Sequence, residues 1–419
     1  MWNNFDFYSR WGYDSASFCK GGETPPNVSL LFVGQVDSLS YKAGVALKNQ
    51  PFIPVAEPLL GDKELAYVTD CIKSGWVSSL GKYVRDFEDR FAVYCGVRYG
   101  VATFNGTVAL HLLAATLNLG PGDEVIMPSL TYVATANAVR YTGATPIFVD
   151  SERDTWNINP SMVEAAITPC TKAIIAVHLY GHPADMDPLR AIADAHGLWL
   201  LEDAAEAHGA HYKGRRVGGL SDAAIFSFYG NKIITTGEGG IIVTNNQAWA
   251  ERAFFLENQG RYPENPYWHP ELAYNYRMTN IQAAIGLAQL EQIDEMLAIR
   301  CRNAAHYTHR LAEMPSLILP PQMPWAENVF WMYSVIVEDE FGLDRDELRV
   351  RLRQAGIDSR PFFYPVHTLP MYNTGQSLPV AEELSRRGLN LPSGATLTAE
   401  QVDYICDTLA NFSNLAIES

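Results

Sequence analysis

The sequence has few cysteines, no long apolar run and no excess of positive charge. Its six cysteines among 419 residues form no CxxC pair and are widely spaced, so neither a zinc site nor a disulfide framework is expected. No apolar segment approaches the roughly 20 residues that a membrane helix needs. The N-terminus also lacks a basic segment followed by an apolar one. These absences predict a cytoplasmic protein with reduced thiols and no membrane partner.

The charge balance of the chain is acidic. Asp and Glu number 47 against 31 Lys and Arg, for a formal net charge of −16. Because phosphate backbones are bound by clustered Lys and Arg, no nucleic-acid partner is expected. The GxGxxG and Walker patterns are absent, which disfavours dinucleotide and nucleoside-triphosphate binding. Hydrophobic residues at 47% and charged residues at 19% are typical of a globular chain.

Three regions of the chain differ in composition and periodicity. Residues 1–50, rich in aromatic and small polar residues, are predicted to be an N-terminal extension whose role the sequence does not indicate. Residues 51–300 alternate short apolar strands with helical periods, which predicts βαβ units around a mainly parallel sheet. This region is predicted to end in one long helix over 280–297. Residues 301–419 are predicted to form a smaller C-terminal α+β domain.

A lone lysine, Lys232, stands between a predicted strand at 224–227 and a glycine-rich turn at 237–240. Loops that follow the carboxyl ends of parallel strands are where α/β proteins build their sites. A lysine in such a place can have a lowered pKa and act as an amine nucleophile toward an aldehyde. An ordinary surface lysine is the alternative for this segment taken alone.

Two further segments supply chemistry that complements an amine. Asp203 follows a predicted strand at 199–202, and its carboxylate can pair with a protonated pyridine nitrogen or cap a helix. Gly106 and Thr107 open a predicted helix, whose N-terminal N–H groups can hold a phosphate or serve as a plain cap. Together, a phosphate cradle, a pyridinium partner and an imine-forming lysine predict a pyridoxal 5′-phosphate site.

A series of motifs in order resembles the DegT/DnrJ/EryC1/StrS family of sugar aminotransferases over roughly residues 54–412. The motifs are residues 105–110, 121–126, 128–137, 177–181, 202–209, the Lys232 segment and 274–279. The resemblance implies an α/β fold of the aspartate-aminotransferase type, which is PLP-dependent transferase fold type I. Such a fold has a large domain with a mainly parallel mixed sheet and a smaller C-terminal α+β domain. The resemblance further implies pyridoxal 5′-phosphate as cofactor and a homodimer with shared active sites.

The resemblance also implies roles for individual residues. Lys232 and Asp203 form the catalytic pair, in which Lys232 makes a Schiff base with the cofactor and Asp203 pairs with its pyridine nitrogen. The other cofactor contacts that it implies are Gly106, Thr107 and Ser227 at the phosphate, Tyr132 on the ring, Glu206 at the phenolic oxygen and Asn275 from the neighbouring subunit. The implied substrate contacts are Arg277, for which a structural ion pair is an equal alternative, and His367. No metal site is predicted.

Glu206 departs from the glutamine that many members of the family carry. A carboxylate repels a neighbouring phenolate unless one of the two keeps a proton. Glutamate at this position, together with the residues around Lys232, resembles the perosamine synthases of the family.

The function implied by the resemblance is transfer of an amino group from an amino acid, with L-glutamate as the expected donor, to a keto-sugar by a ping-pong Schiff-base mechanism. The favoured acceptor is a nucleotide-linked 4-keto-6-deoxyhexose. One alternative is a 3-keto-sugar or aminocyclitol aminotransferase of an antibiotic pathway. Another is a regulatory protein that binds the cofactor without turnover.

Overall fold

The computed structural model describes residues 52–262 and 264–417, so the extension predicted at residues 1–50 lies outside the described part. Its helices are α1 (Asp62–Ser74), α2 (Lys82–Cys95), α3 (Gly106–Thr116), α4 (Ala134–Tyr141), α5 (Pro160–Ala165), α6 (Met186–His196), α7 (Gln247–Glu257), α8 (Asn280–Leu290), α9 (Ile293–Leu311), α10 (Arg345–Gln354), α11 (Pro379–Arg387) and α12 (Ala399–Ile417). Its strands are β1 (Tyr99–Thr103), β2 (Glu124–Pro128), β3 (Thr145–Val149), β4 (Thr171–Val177), β5 (Trp199–Asp203), β6 (His211–Tyr212), β7 (Arg215–Arg216), β8 (Ala223–Ser227), β9 (Gly240–Thr244), β10 (Leu317–Ile318), β11 (Ala326–Glu327), β12 (Tyr333–Val337), β13 (Arg360–Pro361) and β14 (Gly388–Leu391).

A seven-stranded mixed sheet in the order β1-β9-β8-β5-β4-β2-β3 forms the main layer. The strands from β8 to β3 run parallel, whereas β9 is antiparallel to both β8 and β1. Every residue of β8 and β9 is buried, as expected for central strands against which helices pack. The predicted α/β fold with a mainly parallel mixed sheet is therefore confirmed.

A second, four-stranded antiparallel sheet has the order β10-β12-β14-β13. It shares a hydrophobic cluster with α9, α10 and α12, in which Tyr307, Tyr333 and Leu348 are buried. A single helix, α9, runs through residue 300. The domain boundary placed at that residue by the sequence stays a prediction.

The single helix predicted over 280–297 is wrong, because α8 ends at Leu290 and α9 begins at Ile293. Between them, Gln292 has φ −122° and ψ 3°, which is outside the helical range. Its Nε2 donates to Glu64 Oε1 at 2.9 Å and to the carbonyl oxygen of Ala288 at 3.0 Å. A tertiary hydrogen bond to α1 thus accompanies the break. The apolar periodicity of residues 280–297 does not indicate this break.

Asn280 links α8 to the chain around α1 and α2. Its buried Oδ1 accepts from the backbone N–H of Tyr83 at 3.0 Å, and its Nδ2 donates to the carbonyl oxygen of Trp76 at 2.7 Å. Asn280→Ala leaves both backbone groups without these partners and should lower the free energy of unfolding by about 2–3 kcal/mol. Urea unfolding measures the loss. Gln354→Ala, at an exposed position, is the control, and equal losses in the two variants would contradict the prediction.

The described residues include no helix that is long and apolar enough to cross a bilayer. Their cysteines are free thiols, at positions 71, 95, 170, 301 and 406. Cys19 lies outside the described residues.

Candidate active site

A cavity of about 370 Å³ lies at the carboxyl ends of β4, β5 and β8, beside the N-terminus of α3. Because parallel strands end at the same sheet edge, residues that are distant in sequence meet there. The cavity brings together predicted residues from both the catalytic and the cofactor-binding sets, namely Gly106, Thr107, Tyr132, Asp203, Glu206, Ser227 and Lys232.

The N-terminus of α3 forms one end of the cavity. Asn105 caps the helix, and its Oδ1 accepts from the backbone N–H of Val108 at 3.0 Å. The first N–H groups of a helix, here those of Gly106 and Thr107, have no partner within the helix. Gly106 is needed for close packing, because a Cβ at this position would lie 2.7 Å from the Ser227 Cβ. Helix N–H groups beside the hydroxyls of Thr107 and Ser227 constitute an anion-binding arrangement.

Asp203 is buried at the carboxyl end of β5. Its Oδ2 accepts from Thr135 Oγ1 at 2.7 Å, and its Oδ1 accepts from the backbone N–H of Ala205 at 3.2 Å. Burial raises the pKa of the Asp203 carboxyl, while the hydrogen bond from Thr135 and the charge of Lys232 act in the opposite direction. A carboxylate oriented in this way favours a positive charge placed against it.

Lys232 lies in the turn after β8 with its side chain only 11% exposed. Its Nζ is 3.8 Å from Glu206 Oε1 and 3.7 Å from the ring centroid of Trp331. Burial lowers the pKa of the Lys232 amine, and the charges of Glu206 and Asp203 oppose that shift. The lowered pKa increases the fraction of the amine that is neutral and nucleophilic, as amine catalysis requires.

Glu206 is buried beside Lys232, and its Oε2 accepts from the backbone N–H of Tyr180 at 2.8 Å. Tyr180 has φ +54°, a left-handed conformation that is uncommon outside glycine. Such strain is tolerated where the surrounding structure over-determines it, commonly at functional sites. Burial raises the pKa of the Glu206 carboxyl, which favours its protonated form.

Thr135, Trp331 and Phe363 are among the residues that line the cavity but were not predicted as site residues. Thr135 falls inside the motif at 128–137, so its place in that motif is the sequence signal for a residue of the site. Trp331 and Phe363 reach the cavity from the chain beyond residue 300, and no local pattern connects them to Lys232. The Phe363 ring lies 5.6 Å from that of Tyr132, and its N–H donates to Tyr180 Oη at 3.0 Å.

Asn275 and Arg277 lie outside the set of residues that line this cavity. Asn275 is exposed, and its Oδ1 accepts from Arg277 Nη2 at 2.7 Å and Nε at 3.2 Å. A contact between Asn275 and a neighbouring subunit's cofactor stays a prediction. The donor-binding role of Arg277 likewise stays a prediction, and its guanidinium is held within its own chain here.

His367 lies outside the set of residues that line this cavity, and its substrate contact stays a prediction. The residue is buried, with Nδ1 2.6 Å from Ser129 Oγ and Nε2 3.2 Å from Glu382 Oε1. Both ring nitrogens therefore have partners within the chain. Through them His367 ties the segment after β2 to α11.

Two acids outside the cavity, Glu88 and Glu257, interact with each other, and the charge of Arg277 acts on Glu257. Glu88 Oε1 accepts from the backbone N–H of Ala102 at 2.8 Å, and burial raises the pKa of Glu88 from an ordinary value of 4.5 to about 7. Burial and the charge of Glu88 raise the pKa of Glu257, whereas Arg277 lowers it.

Glu88→Gln is expected to remove a pH-dependent loss of stability. Between about pH 4.5 and 7 the folded chain holds more protons at Glu88 than the unfolded chain does. Stability therefore falls as pH rises through that window. The variant should be more stable than the native chain at pH 8 by about 2–3 kcal/mol, with a much smaller difference at pH 4.5. Urea unfolding at both pH values measures this, with exposed Glu313→Gln as control, and a pH-independent difference would refute it.

Comparison with known proteins agrees with this geometry. Residues 58–410 match the model of the DegT/DnrJ/EryC1/StrS aminotransferase family. A GDP-perosamine synthase of Caulobacter vibrioides is 48% identical over 366 residues, which cover 87% of this chain and 99% of that protein. A dTDP-3-amino-3,4,6-trideoxy-alpha-D-glucose transaminase of Streptomyces venezuelae is 40% identical over 374 residues, covering 87% and 97% respectively.

Solved structures show the same relationship. The PMP form of a putative sugar aminotransferase from Streptococcus pneumoniae superposes with a TM-score of 0.82 at 29% identity, over 88% of this chain and 99% of that one. The likeness thus extends across the whole fold around the cavity. On the family match, the identities and the fold, the chain belongs to the DegT/DnrJ/EryC1/StrS aminotransferase family and is a sugar aminotransferase.

Proposed function

We propose that the chain binds pyridoxal 5′-phosphate in the cavity and transfers an amino group from L-glutamate to a nucleotide-linked 4-keto-6-deoxyhexose. The observation that carries the proposal is the buried Lys232 amine in one cavity with the Asp203 carboxylate and the N-terminus of α3. When bound, the cofactor supplies an aldehyde that reacts with amines and a ring that withdraws electrons from the substrate carbon. The remaining chemistry belongs to the side chains of the protein.

The residues of the cavity fit this cofactor. The N–H groups at the start of α3, with the hydroxyls of Thr107 and Ser227, would hold its phosphate. Asp203, oriented by Thr135, would hold a proton on the pyridine nitrogen. The Tyr132 ring would lie on a face of the cofactor ring. Glu206, whose pKa is raised by burial, would keep its proton beside the phenolic oxygen instead of repelling it.

Lys232 would carry the proton in both halves of the exchange. Its neutral amine removes a proton from the donor's carbon, and the resulting ammonium returns a proton within the same cavity. Burial favours the neutral amine, and the charge of Asp203 favours the charged form. Walls of apolar side chains, including Trp331 and Phe363, limit access of water to Nζ during this exchange.

The choice of sugar rests on the relatives. Identity of 48% to a protein named GDP-perosamine synthase supports a nucleotide-linked acceptor. A second candidate is amination at the 3-position, which is supported by 40% identity to a transaminase named for a 3-amino sugar. A panel of 3-keto and 4-keto nucleotide sugars, with L-glutamate as donor and mass detection of products, separates the two. Amination of a 3-keto sugar alone would overturn the first proposal.

The proposed assembly is a homodimer in which Asn275 reaches the partner's cofactor. Its exposed position, outside the cavity of its own chain, supports this arrangement. The test mixes inactive Lys232→Ala and Asn275→Ala chains under conditions of subunit exchange. Hybrid dimers should regain activity if the sites are shared, because one of the two sites then has both residues. No recovery in verified hybrids would contradict the shared site.

Addition of L-glutamate to the cofactor-loaded protein tests turnover. The absorbance of the bound cofactor should change to that of the amine form, and 2-oxoglutarate should appear in equal amount. A subsequent keto-sugar should restore the original spectrum. A protein that binds the cofactor but converts it with no amino acid would overturn the proposed catalysis.

A further inference from the structure

Trp331 lies against the amine of Lys232. The Nζ atom is 3.7 Å from the centroid of the Trp331 ring, and the Trp331 side chain is among the buried residues at 4% exposure. A cation over an aromatic face is attracted by the ring quadrupole, most strongly for tryptophan and more strongly away from water. The contact therefore favours the charged form of the same amine whose pKa burial lowers.

Trp331 is held through both its side chain and its backbone. Its Nε1 donates to the carbonyl oxygen of Asn231 at 2.8 Å, which is the residue directly before Lys232. Its own carbonyl oxygen accepts from Arg300 Nη1 at 3.2 Å. The buried Arg300 also donates to the carbonyl oxygen of Ser393 at 2.8 Å. The indole is thus anchored to the lysine's own turn through Nε1, and the backbone of Trp331 is anchored to a buried guanidinium in α9.

The other groups that face Lys232 are two acids and a histidine. Glu206 Oε1 is 3.8 Å from Nζ, and the charge of Asp203 also acts on the amine. Burial lowers the pKa of His208 to about 3, so this ring is neutral and adds no charge near neutral pH. The acids and the Trp331 ring therefore favour the charged form of the Lys232 amine, whereas burial favours its neutral form.

We propose that Trp331 is a positioning residue that holds Lys232 Nζ between its ring and Glu206 and stabilises the charged amine. A buried lysine that moves a proton must be able to carry it, and the ring supports the charge without itself exchanging protons. The inference rests on the proposed role of Lys232 in amino transfer.

The test measures protonation of Lys232 directly in the full chain freed of cofactor. Trace acetylation across pH, followed by peptide mass mapping, gives the midpoint at which Lys232 becomes reactive. Trp331→Leu removes the ring and should lower that midpoint by about one pH unit, a tenfold change in protonation. Trp331→Phe keeps an aromatic face and should lower it by less than half as much. In the loaded enzyme, Trp331→Leu should reduce kcat about tenfold with little change in KM for glutamate.

Trp199→Leu is the matched control, because Trp199 packs on Trp249 and does not line the cavity. Its labelling midpoint should equal that of the native chain. Equal midpoints in all variants overturn the proposal. Equal decreases for Trp331→Phe and Trp331→Leu also overturn it, since they assign the effect to the lost Asn231 hydrogen bond. If the leucine variant does not fold, Trp331→Met takes its place as a flexible non-aromatic side chain.

The two readouts separate this inference from the proposed function. A shifted labelling midpoint in a protein that never turns over glutamate would support the role of Trp331 and refute the proposed catalysis. Turnover of glutamate with unshifted labelling midpoints would support the proposed catalysis and refute the role of Trp331.

Discussion

Lys232→Ala is expected to lower kcat for amino transfer by about a thousandfold or more. Lys232 is the lysine among the residues that line the cavity, and its removal takes away both the reacting amine and the proton carrier. The rate with L-glutamate and the keto-sugar measures the loss. Borohydride reduction of the loaded native protein, followed by peptide mapping, should place the cofactor on Lys232, and the variant should retain none.

Lys213→Ala is the matched control for this loss. Lys213 lies on the surface, where its Nζ contacts Asp187 Oδ2 at 2.6 Å. Its removal should leave kcat within about twofold of the native value, because exposed ion pairs contribute little to stability and none of the chemistry. Native kcat in Lys232→Ala, or a cofactor trapped on another residue, would end the proposed mechanism.

Asp203→Asn is expected to change activity and stability unequally. The amide preserves the size of the side chain and can still accept from Thr135, but it does not hold a negative charge against a pyridinium. We expect kcat to fall by about a hundredfold or more. Because burial raises the pKa of the Asp203 carboxyl, its charge is unfavourable in the folded chain, and the variant should be no less stable than the native chain at pH 7. Initial rates and urea unfolding measure the two effects.

Asp150→Asn is the control, because it should lower stability and leave kcat unchanged. Asp150 directly follows β3 and is also buried, but its oxygens accept from the backbone N–H groups of Val380 at 3.0 Å and Ala381 at 2.7 Å. The variant should lose about 1–3 kcal/mol of stability, with kcat unchanged, because its amide has only one acceptor oxygen for these two N–H groups at the start of α11. Native kcat in Asp203→Asn, or a loss of stability equal to that of Asp150→Asn, would show that Asp203 acts only in folding.

The central sheet, and the edge of it at which Asp203 and Lys232 meet, were predictable because each depends on local pattern. Short apolar runs predicted the strands, and β5 and β8 end at Asp203 and Ser227 as the structure has them. Parallel strands present their carboxyl ends at one edge, so residues at those ends meet the N-terminus of α3 whatever their separation in sequence. The meeting of Asp203, Ser227 and Lys232 at this edge follows from this rule together with the order of the motifs.

Sequence by itself determined the seven strands of the central sheet and the reactive side chains at their ends, because burial selects short apolar runs for such strands. Tertiary structure alone decided the break at Gln292, the placement of Trp331 on Lys232 and the enclosure of His367 between Ser129 and Glu382. Each of these depends on hydrogen bonds or ring contacts between segments far apart in the chain. Such contacts are set by how the layers pack, and the period of a single segment carries no information about them.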